Sequence, residues 1–239
     1  MCSKSCSPAP RPSRPLPAAT GGWDSLSVVV CARNEARCVV EQLQALADVF
    51  PGAELLLVDN GSTDATPRLA ASVPGVRVVA EPRAGKGNAM RTGAAAASRE
   101  WLLFHDADGE YAAGDAAEVV RKAMAGGGAA VGTRLVAYDR LLPSSWLANS
   151  LISLLLRVRT GVETRDVLSG TRCLRRGLFL ALETTSAHFG IETEITRKLA
   201  QRGVSVCWAD VRFTPRSRAE GKKIRPRHLL ALIHQALRT

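Results

Sequence analysis

Short apolar runs alternate with amphipathic segments along the first half of the chain. The runs have the β-branched and leucine content typical of buried parallel strands. They cover residues 26–32, 54–59, 76–81 and 101–106. The segments between them have helical spacing, and in the first one an apolar stripe is formed by Val39, Leu43, Leu46 and Phe50. This alternation predicts an α/β fold with a doubly wound, mostly parallel sheet, flanked by helices and joined by right-handed crossovers.

The second half of the chain is less regular. Further strands are predicted over 129–136 and 204–213, and helices over 146–161 and 189–203. No internal repeat or linker divides the chain, so a single folded domain is predicted over 23–226. A Pro-rich and Ser-rich start predicts a disordered basic arm over 1–22. An amphipathic helix is predicted over 227–239.

Charge and cysteine content refine this picture. The net charge of +10 lies at the two ends: residues 1–22 carry three basic residues and no acid, and residues 212–239 carry eight against one Glu. Such ends suit phosphates or anionic lipid, whereas the neutral body argues against a nucleic-acid surface. The six cysteines show no paired CxxC spacing, so free thiols and a reducing, cytoplasmic location are expected. No secretory signal is expected either.

Two aspartates follow directly on the fourth apolar run, in the sequence "WLLFHDADGEY". Asp106 and Asp108 lie two residues apart, so they point the same way in an extended chain, and Glu110 continues the same phase. Hard oxygen ligands on one side, just beyond a strand, suit Mg²⁺ or Mn²⁺, which usually completes its coordination with substrate phosphates and water. The alternative is that these acids cap the next helix or lie in a solvated turn.

Two other loops suit a nucleotide. Asp59 ends the second run and precedes a Gly-Ser-Thr-Asp turn, where a carboxylate can accept bonds from a base or a ribose. The sequence "AGKGNAM" offers glycine backbone and Lys86 to a phosphate at a helix start, although it lacks P-loop spacing. Because parallel strands end at one edge of a sheet, Asp59 and Asp106 are expected on the same side of the molecule.

These motifs together resemble a known family. "SVVVCARNE", "ELLLVDNGSTDAT", "AGKGNAMRTGAA" and "LLFHDADGEY" are similar to the successive motifs of family 2 glycosyltransferases of the GT-A fold. The later sequences "AAVGTR", "DVLSGTRCLRR", "FGIETEI" and "PRSRAEGKKIRP" resemble the subgroup that contains dolichol- and polyprenol-phosphate sugar transferases. The resemblance extends from about residue 26 to 226 and implies a nucleoside diphosphate sugar as donor.

The resemblance also implies roles for individual residues. Asn60 stands where a second Asp is common, and Glu110 where the lipid-phosphate transferases often carry Gln. Ser169 and Gly170, with Asp166, match the acceptor-side loop. The residues predicted to bind the donor are Ala32, Arg33, Glu35, Asp59, Lys86, Asp106 and Lys222. The predicted metal ligands are Asp106, Asp108 and Glu110. The predicted catalytic residues are Asp108, Asp166, Arg134, Arg216, Arg218 and Lys223, and which of the two late arginines closes over the phosphates is left open.

The function that follows is inverting transfer of a sugar, mannose or glucose, from a GDP- or UDP-sugar to a polyprenyl or dolichyl phosphate. A lipid phosphate is already an anionic nucleophile and needs no base. A hydroxyl acceptor would need one, and the candidates are Asp166, Glu192 and Glu194. The segments 146–161 and 227–239 combine apolar and basic residues, which suits peripheral contact with a membrane surface, although packing on the sheet or a dimer contact would explain them too.

Three rival functions stay open at this point. One is a soluble glycosyltransferase that acts on a hydroxyl of a small molecule. Another is a nucleotidyltransferase, which would release pyrophosphate from a nucleoside triphosphate. The last is a non-enzymatic membrane or nucleic-acid binder, for which substitution of Asp106 and Asp108 would leave binding intact.

Overall fold

The computed structural model of the protein describes residues 22–134, 143–216 and 229–237. These residues form seven strands and eight helices. The strands are β1 (Leu26–Ala32), β2 (Glu54–Asp59), β3 (Val76–Ala80), β4 (Trp101–Asp106), β5 (Ala129–Thr133), β6 (Arg172–Arg175) and β7 (Cys207–Asp210). The helices are α1 (Val39–Val49), α2 (Thr66–Ala71), α3 (Lys86–Ala96), α4 (Ala113–Ala125), α5 (Pro143–Thr160), α6 (Arg176–Ala181), α7 (Ile191–Gln201) and α8 (Leu229–Leu237).

The seven strands form one sheet in the order β3-β2-β1-β4-β6-β5-β7. Neighbouring strands are parallel from β3 to β4 and between β5 and β7, while β6 runs antiparallel to both β4 and β5. The predicted fold class, a single α/β domain with a mostly parallel sheet flanked by helices, is therefore confirmed.

Alternating side chains of the central strands enter two different cores. On β1, Val28 and Val30 pack toward α1, α2 and α4, whereas Val29 packs toward α3, α6 and α7. A smaller cluster joins α5 to α8 through residues such as Ile152 and Leu232. Because both faces of the sheet are covered, its central strands β1, β2 and β4 are mostly apolar, and their polar side chains are concentrated at the strand ends.

Several element boundaries differ from the sequence predictions. Helix α1 begins only at Val39 and not directly after β1, because Asn34 has a left-handed backbone with a φ of 55° and residues 34–38 form a loop. β5 and β7 are shorter than predicted. Helix α4, strand β6 and helix α6 are not among the predicted elements; β6 has only four residues, two of them arginines, and so lacks the apolar run of a buried strand.

The two chain ends bear on the predicted domain limits. The arm predicted over 1–22 lies outside the described residues except for Gly22. Helix α8 lies within the segment 227–239 for which an amphipathic helix is predicted, and its Leu232 and Ala236 are buried against α5.

Candidate functional site

The carboxyl ends of β1, β2 and β4 lie side by side at one edge of the sheet. In the strand register Ala32 pairs with Asp59, and Cys31 pairs with Asp106. The strand order reverses between β1 and β4, and sheets of this kind bind ligands outside the carboxyl ends at such a reversal. The fold thus brings the predicted donor-side residues Ala32 and Asp59 next to the predicted metal ligand Asp106.

The loop after β1 is held in place by the turn after β2. The Oδ1 atom of Asn34 accepts the backbone N–H of Thr63 at 2.8 Å, and the backbone N–H of Glu35 donates to Oγ1 of Thr66 at 2.8 Å. Arg33, which directly precedes these anchored residues, is exposed. The sequence "GSTDAT" therefore fixes the backbone of the residues that are predicted to meet the nucleotide.

Asp59, the last residue of β2, and Asn60, which follows it, differ in burial and in their hydrogen bonds. Asp59 is partly exposed and accepts one backbone N–H of the following turn at 3.3 Å. Asn60 is buried; its amide donates to the carbonyls of Glu81 and Arg83 at 3.0 and 2.8 Å, and its Oδ1 accepts the N–H of Gly85 at 2.6 Å. An aspartate cannot donate to two carbonyls. The Asn at this position therefore fixes the loop that leads into α3.

The last residue of β4, Asp106, and the loop after it carry the three predicted metal ligands. Burial, together with the negative charges of Asp106 and Glu110, raises the pKa of Asp108 to about 7. Three carboxylates that repel one another in this way fit a divalent cation, which would relieve the repulsion. Within the described part of the chain, however, no three His, Cys, Asp or Glu side chains already converge as a complete ligand set. Asp106 and Glu110 each also contact a basic residue or its backbone.

Lys86, predicted to bind the donor, lies between two acids. Its Nζ is 2.7 Å from Oδ1 of Asp106 and 2.8 Å from Oε1 of Glu192, and only 14% of its side chain is exposed. Burial alone would lower the pKa of Lys86, but the two carboxylates outweigh that effect and raise it. The ammonium is therefore charged and bridges β4 to helix α7.

The backbone at the start of α3 differs from the sequence expectation. The N–H groups of Gly87 and Asn88 both donate to the carbonyl of Ala187, at 2.8 and 3.2 Å. The glycine backbone predicted to receive a phosphate is thus already paired, which leaves the Lys86 side chain as the group of this motif that faces the site.

Arg134 and Asp166 form a buried ion pair. Nε and Nη2 of Arg134 donate to the two carboxylate oxygens at 2.8 and 2.7 Å, and its backbone N–H adds a third bond at 2.9 Å. Asp166 has no exposed surface. Although burial lowers the pKa of Arg134, Tyr111 and Asp166 raise it more. Both oxygens of Asp166 are therefore committed to Arg134.

Arg216 is the last residue of the described range 143–216, and it contacts the loops that follow β1 and β4. Its Nη1 is 2.8 Å from Oε2 of Glu35, and its backbone N–H donates to Oε1 of Glu110 at 2.7 Å. Its Nη2 also contacts the carbonyl of Asp108. Arg216 thus reaches the predicted site, whereas Arg218, Lys222 and Lys223 lie outside the described residues.

The remaining candidate bases are both held by neighbours. Oε1 of Glu192 binds Lys86, and Oε2 is buried with no hydrogen-bond partner among the described residues. Glu194 accepts the backbone N–H groups of Thr185 and Ser186 at 3.0 and 2.7 Å. Burial raises the pKa of Glu194, but those bonds outweigh it and lower the pKa to about 2.

Sequence reasoning did not find the supporting role of Gly170, which it assigned to the acceptor-side loop. A Cβ atom at this position would overlap the carboxylate of Asp106, so only glycine leaves room for that side chain. The N–H of Gly170 donates to the Tyr111 hydroxyl at 2.8 Å. The Tyr111 ring in turn packs edge-on against His105.

Behind the site lies a buried polar layer around His105 and Arg172. Nε2 of His105 is 2.8 Å from Nε2 of Gln42, and its Nδ1 is 3.2 Å from Oγ1 of Thr171. Burial lowers the pKa of His105 to about 4, so the ring is neutral at pH 7. Arg172, also fully buried, donates to the carbonyls of Val167, Ser169 and Glu192.

Helix α5 carries an apolar stripe on its outer face. Trp146 is 45% exposed, and from the adjacent Leu147 the stripe continues at four- and three-residue steps through Leu151, Leu154 and Val158. Arg157 and Arg159 lie in its last turn. No helix among the described residues has both the length and the apolar character needed to cross a bilayer.

Comparison with known proteins agrees with this geometry. Residues 27–182 match the family model described as glycosyl transferase family 2. Glycosyltransferase AglJ of Haloferax volcanii is 31% identical over 199 residues, which is 81% of this chain and 64% of AglJ. An uncharacterized glycosyltransferase of Mycobacterium tuberculosis is 32% identical over 203 residues, 83% of this chain and 89% of that protein. A dolichyl-phosphate hexose transferase of Haloferax volcanii is 27% identical over 206 residues, 85% of this chain and 88% of that protein.

A solved structure shares the fold. Glucosyl-3-phosphoglycerate synthase from Mycobacterium tuberculosis, in complex with Mn²⁺, UDP-glucose and phosphoglyceric acid, superposes with a TM-score of 0.70 at 21% identity. The superposition covers 89% of this chain and 79% of that protein. The family match, the two relatives above 30% identity and the strand-end site agree with one another, and the chain belongs to glycosyl transferase family 2.

Proposed function

We propose that this family 2 glycosyltransferase moves a hexose from a nucleoside diphosphate sugar to a polyprenyl phosphate, with inversion at the anomeric carbon. The observation that carries the choice of acceptor is the state of the three candidate bases. Asp166 is paired through both oxygens with Arg134, Glu194 is held by backbone N–H groups, and Glu192 is bound through Oε1 to Lys86 and has its other oxygen buried. A hydroxyl acceptor needs a carboxylate that is free to take its proton, whereas a phosphate does not.

The donor is assigned to the edge formed by β1, β2 and β4. Asp59 receives the ribose or the base, and the anchored loop that contains Ala32, Arg33 and Glu35 forms the floor beneath the nucleoside. Asp106, Asp108 and Glu110 would hold a divalent cation, which, when bound, neutralises charge on the departing diphosphate. The raised pKa of Asp108 supports this assignment, since burial, together with the negative charges of Asp106 and Glu110, disfavours the ionised form that a divalent cation would stabilise.

The chain's own basic residues supply fixed positive charge near the reacting groups. Arg134 and Arg216 are both anchored by carboxylates, so their guanidinium groups are already oriented, and such preorganised charge is effective where negative charge develops. The segment that follows Arg216, with Arg218, Lys222 and Lys223, is assigned to the diphosphate and to the acceptor phosphate.

The reaction balances without a base. An oxygen of the acceptor phosphate forms a bond to the anomeric carbon as the bond from that carbon to the diphosphate oxygen breaks. The leaving nucleoside diphosphate takes the electron pair, and no proton has to move. The products are a polyprenyl phosphohexose and a nucleoside diphosphate.

Two further observations support a lipid acceptor. The outer face of α5 presents an apolar stripe next to arginines, which suits a helix lying in a membrane interface. A relative with 27% identity is a dolichyl-phosphate hexose transferase. The solved complex with phosphoglyceric acid favours the alternative, a small soluble acceptor.

The decisive experiment offers the purified protein radiolabelled UDP-glucose or GDP-mannose with Mn²⁺. Parallel reactions contain polyprenyl phosphate in detergent micelles, 3-phosphoglycerate, or glycerol 3-phosphate. We expect label in the organic phase and equimolar nucleoside diphosphate only with the lipid. Radiolabelled product that stays in the aqueous phase with a small acceptor would show that this compound, and not the lipid, accepts the sugar. Release of pyrophosphate from a nucleoside triphosphate would indicate a nucleotidyltransferase.

Membrane contact is tested separately. Leu154→Ser is expected to reduce sedimentation of the protein with vesicles that contain phosphatidylglycerol. Leu180→Ser is the matched control, because Leu180 is also exposed, at 40%, but lies on α6 away from the stripe. Equal vesicle binding by both variants and the unchanged protein would remove α5 from the proposal.

A further inference from the structure

Lys86, Asp106 and Glu192 form an ion triad at the centre of the site. The ammonium is 2.7 Å from Asp106 and 2.8 Å from Glu192, so it contacts one acid that ends a strand and one that begins a helix. Asp106 is the most exposed of the three side chains at 22%, whereas Glu192 is only 5% exposed. The ammonium therefore has a buried anchor on one side and a ligand-facing carboxylate on the other.

We propose that Lys86 is a resident counter-cation that competes with the divalent cation for Asp106, and that Glu192 is a positioning residue that sets the strength of this competition. The inference rests on the proposed function, because it assumes a divalent cation at Asp106. It adds residues on α3 and α7 to the control of that cation. Neither contacts the cation as a ligand.

The charges explain why two acids are needed. Without a bound cation, the ammonium keeps Asp106 from facing Asp108 and Glu110 as an uncompensated charge. When a divalent cation takes Asp106, its charge repels the nearby ammonium. Glu192 then keeps Lys86 paired within the site, so the buried ammonium does not lose all of its partners.

The surroundings make Glu192 suited to this role. It lies in the first turn of α7, and its backbone carbonyl accepts a bond from the fully buried Arg172 at 3.2 Å. Its Oε1 binds Lys86, while its buried Oε2 has no hydrogen-bond partner among the described residues. An open acceptor next to the ammonium gives Lys86 a second oxygen to bind after it leaves Asp106.

The test measures Mn²⁺ affinity from the electron paramagnetic resonance signal of free Mn²⁺, with and without UDP. Lys86→Met removes the competing charge and is expected to tighten Mn²⁺ binding about tenfold or more. Glu192→Gln leaves Asp106 as the only charged partner of Lys86 in the triad and is expected to weaken binding about tenfold. Unchanged or weaker binding in Lys86→Met would overturn the inference.

A double variant separates positioning from a purely structural effect. If Glu192 acts through Lys86, then Glu192→Gln changes Mn²⁺ affinity by less than about threefold when added to Lys86→Met. The double variant removes the charges of both Lys86 and Glu192. It therefore leaves no unpaired buried glutamate, and it can still be measured if Lys86→Met alone does not fold. A full tenfold weakening in that background would show that Glu192 does not act through Lys86.

The control variant is Lys198→Met on α7. Lys198 also pairs with a glutamate, Glu194 at 3.2 Å, but away from Asp106, and its loss is expected to leave Mn²⁺ affinity unchanged. The outcome also separates this inference from the proposed function. Mn²⁺ binding that is insensitive to Lys86 refutes only the counter-cation, whereas Mn²⁺ binding that is absent, or is insensitive to Asp106→Asn, refutes the metal site and both proposals with it.

Discussion

The acids of the amino-terminal half of the sheet and those of the carboxyl-terminal half differ in what surrounds them. Asp59 and Asp106 end β2 and β4, Asp108 follows β4, and all three are partly exposed at the strand edge. Asp166 and Glu194, by contrast, are at most 1% exposed, and each accepts at least three hydrogen bonds. The first group is accessible at the strand edge, where we propose that the donor and the cation bind, and the second group holds loops and basic residues in position.

This difference shows that the carboxylates of one site are not equally suited to bind a cation or to act as a base. A buried acid that is fully paired contributes through the position of its partner, whereas an acid that is repelled by its neighbours attracts a cation. Substitutions in the two groups should therefore separate loss of stability from loss of activity.

The largest effect is expected for Asp166→Ala. Loss of the Asp166 carboxylate leaves Arg134 buried without a charged partner, and breaking such a pair lowers the free energy of unfolding by about 3–5 kcal/mol. Urea unfolding followed by circular dichroism measures the change. Arg134→Met combined with Asp166→Leu should recover much of it, because both charges are then gone. Wild-type stability with abolished transfer would instead make Asp166 a catalytic base.

Asp108→Asn should show the opposite pattern. Loss of a predicted metal ligand is expected to lower kcat/KM for transfer at least about 10²-fold, since metal charge stabilises the transition state by several kcal/mol. The urea midpoint should not fall, because the substitution removes a charge that Asp106 and Glu110 repel. Asp48→Asn, an exposed position on α1, is the control. Transfer that survives Asp108→Asn would exclude this residue from the metal site.

Gly170→Ala tests the close contact between Gly170, in the carboxyl-terminal half of the chain, and Asp106, in the amino-terminal half. The added Cβ would overlap the Asp106 carboxylate, so that side chain has to move, and Mn²⁺ affinity and transfer should each fall about 10–100-fold. Gly177→Ala on α6 is the control, because a Cβ there meets nothing within 4 Å. Equal activity of the two variants would show that the position of Asp106 is not critical.

The adjacency of Asp59 and Asp106 could be predicted from the sequence for a physical reason. Apolar runs that end on acids reveal both a strand and its edge, so the adjacency of Asp59 and Asp106 follows from a parallel sheet. The roles of Gly170 and Arg172 could not be predicted in this way. The N–H of Gly170 binds Tyr111, 59 residues away, and a fully buried arginine resembles a surface residue when only the sequence is considered.

The structural roles of Glu194 and Asn60 could not be predicted from the sequence for a related reason. Both bind backbone groups of loops, which have no residue-type signature, and Glu194 therefore looked like a catalytic candidate or a surface acid. Its contacts show instead that it fixes the segment whose Ala187 carbonyl caps α3, next to Lys86.

The smallest expected effect is that of Glu194→Gln, and it depends on pH. The pKa of Glu194 is lowered from 4.5 to about 2 because hydrogen bonds from Ser186 and Thr185 outweigh the cost of burial. A carboxylate with a lowered pKa stabilises the fold above its unfolded value, and that contribution is lost as pH falls from about 4.5 toward 2. Glutamine keeps one acceptor oxygen, so the loss at pH 7 should be about 1–2 kcal/mol.

Urea unfolding at pH 7 and at pH 3 distinguishes this effect from a general loss of packing. The difference between Glu194→Gln and the unchanged protein should shrink at pH 3, because the carboxylate of the unchanged protein then begins to lose its advantage. Glu118→Gln is the control: its surface pair with Arg121 is partly exposed on both sides, and such pairs contribute about 0–1 kcal/mol. A difference of equal size at both pH values would mean that Glu194 acts through shape and not through charge, and the contrast between ligand-facing and loop-holding acids would then rest on Asp166 alone.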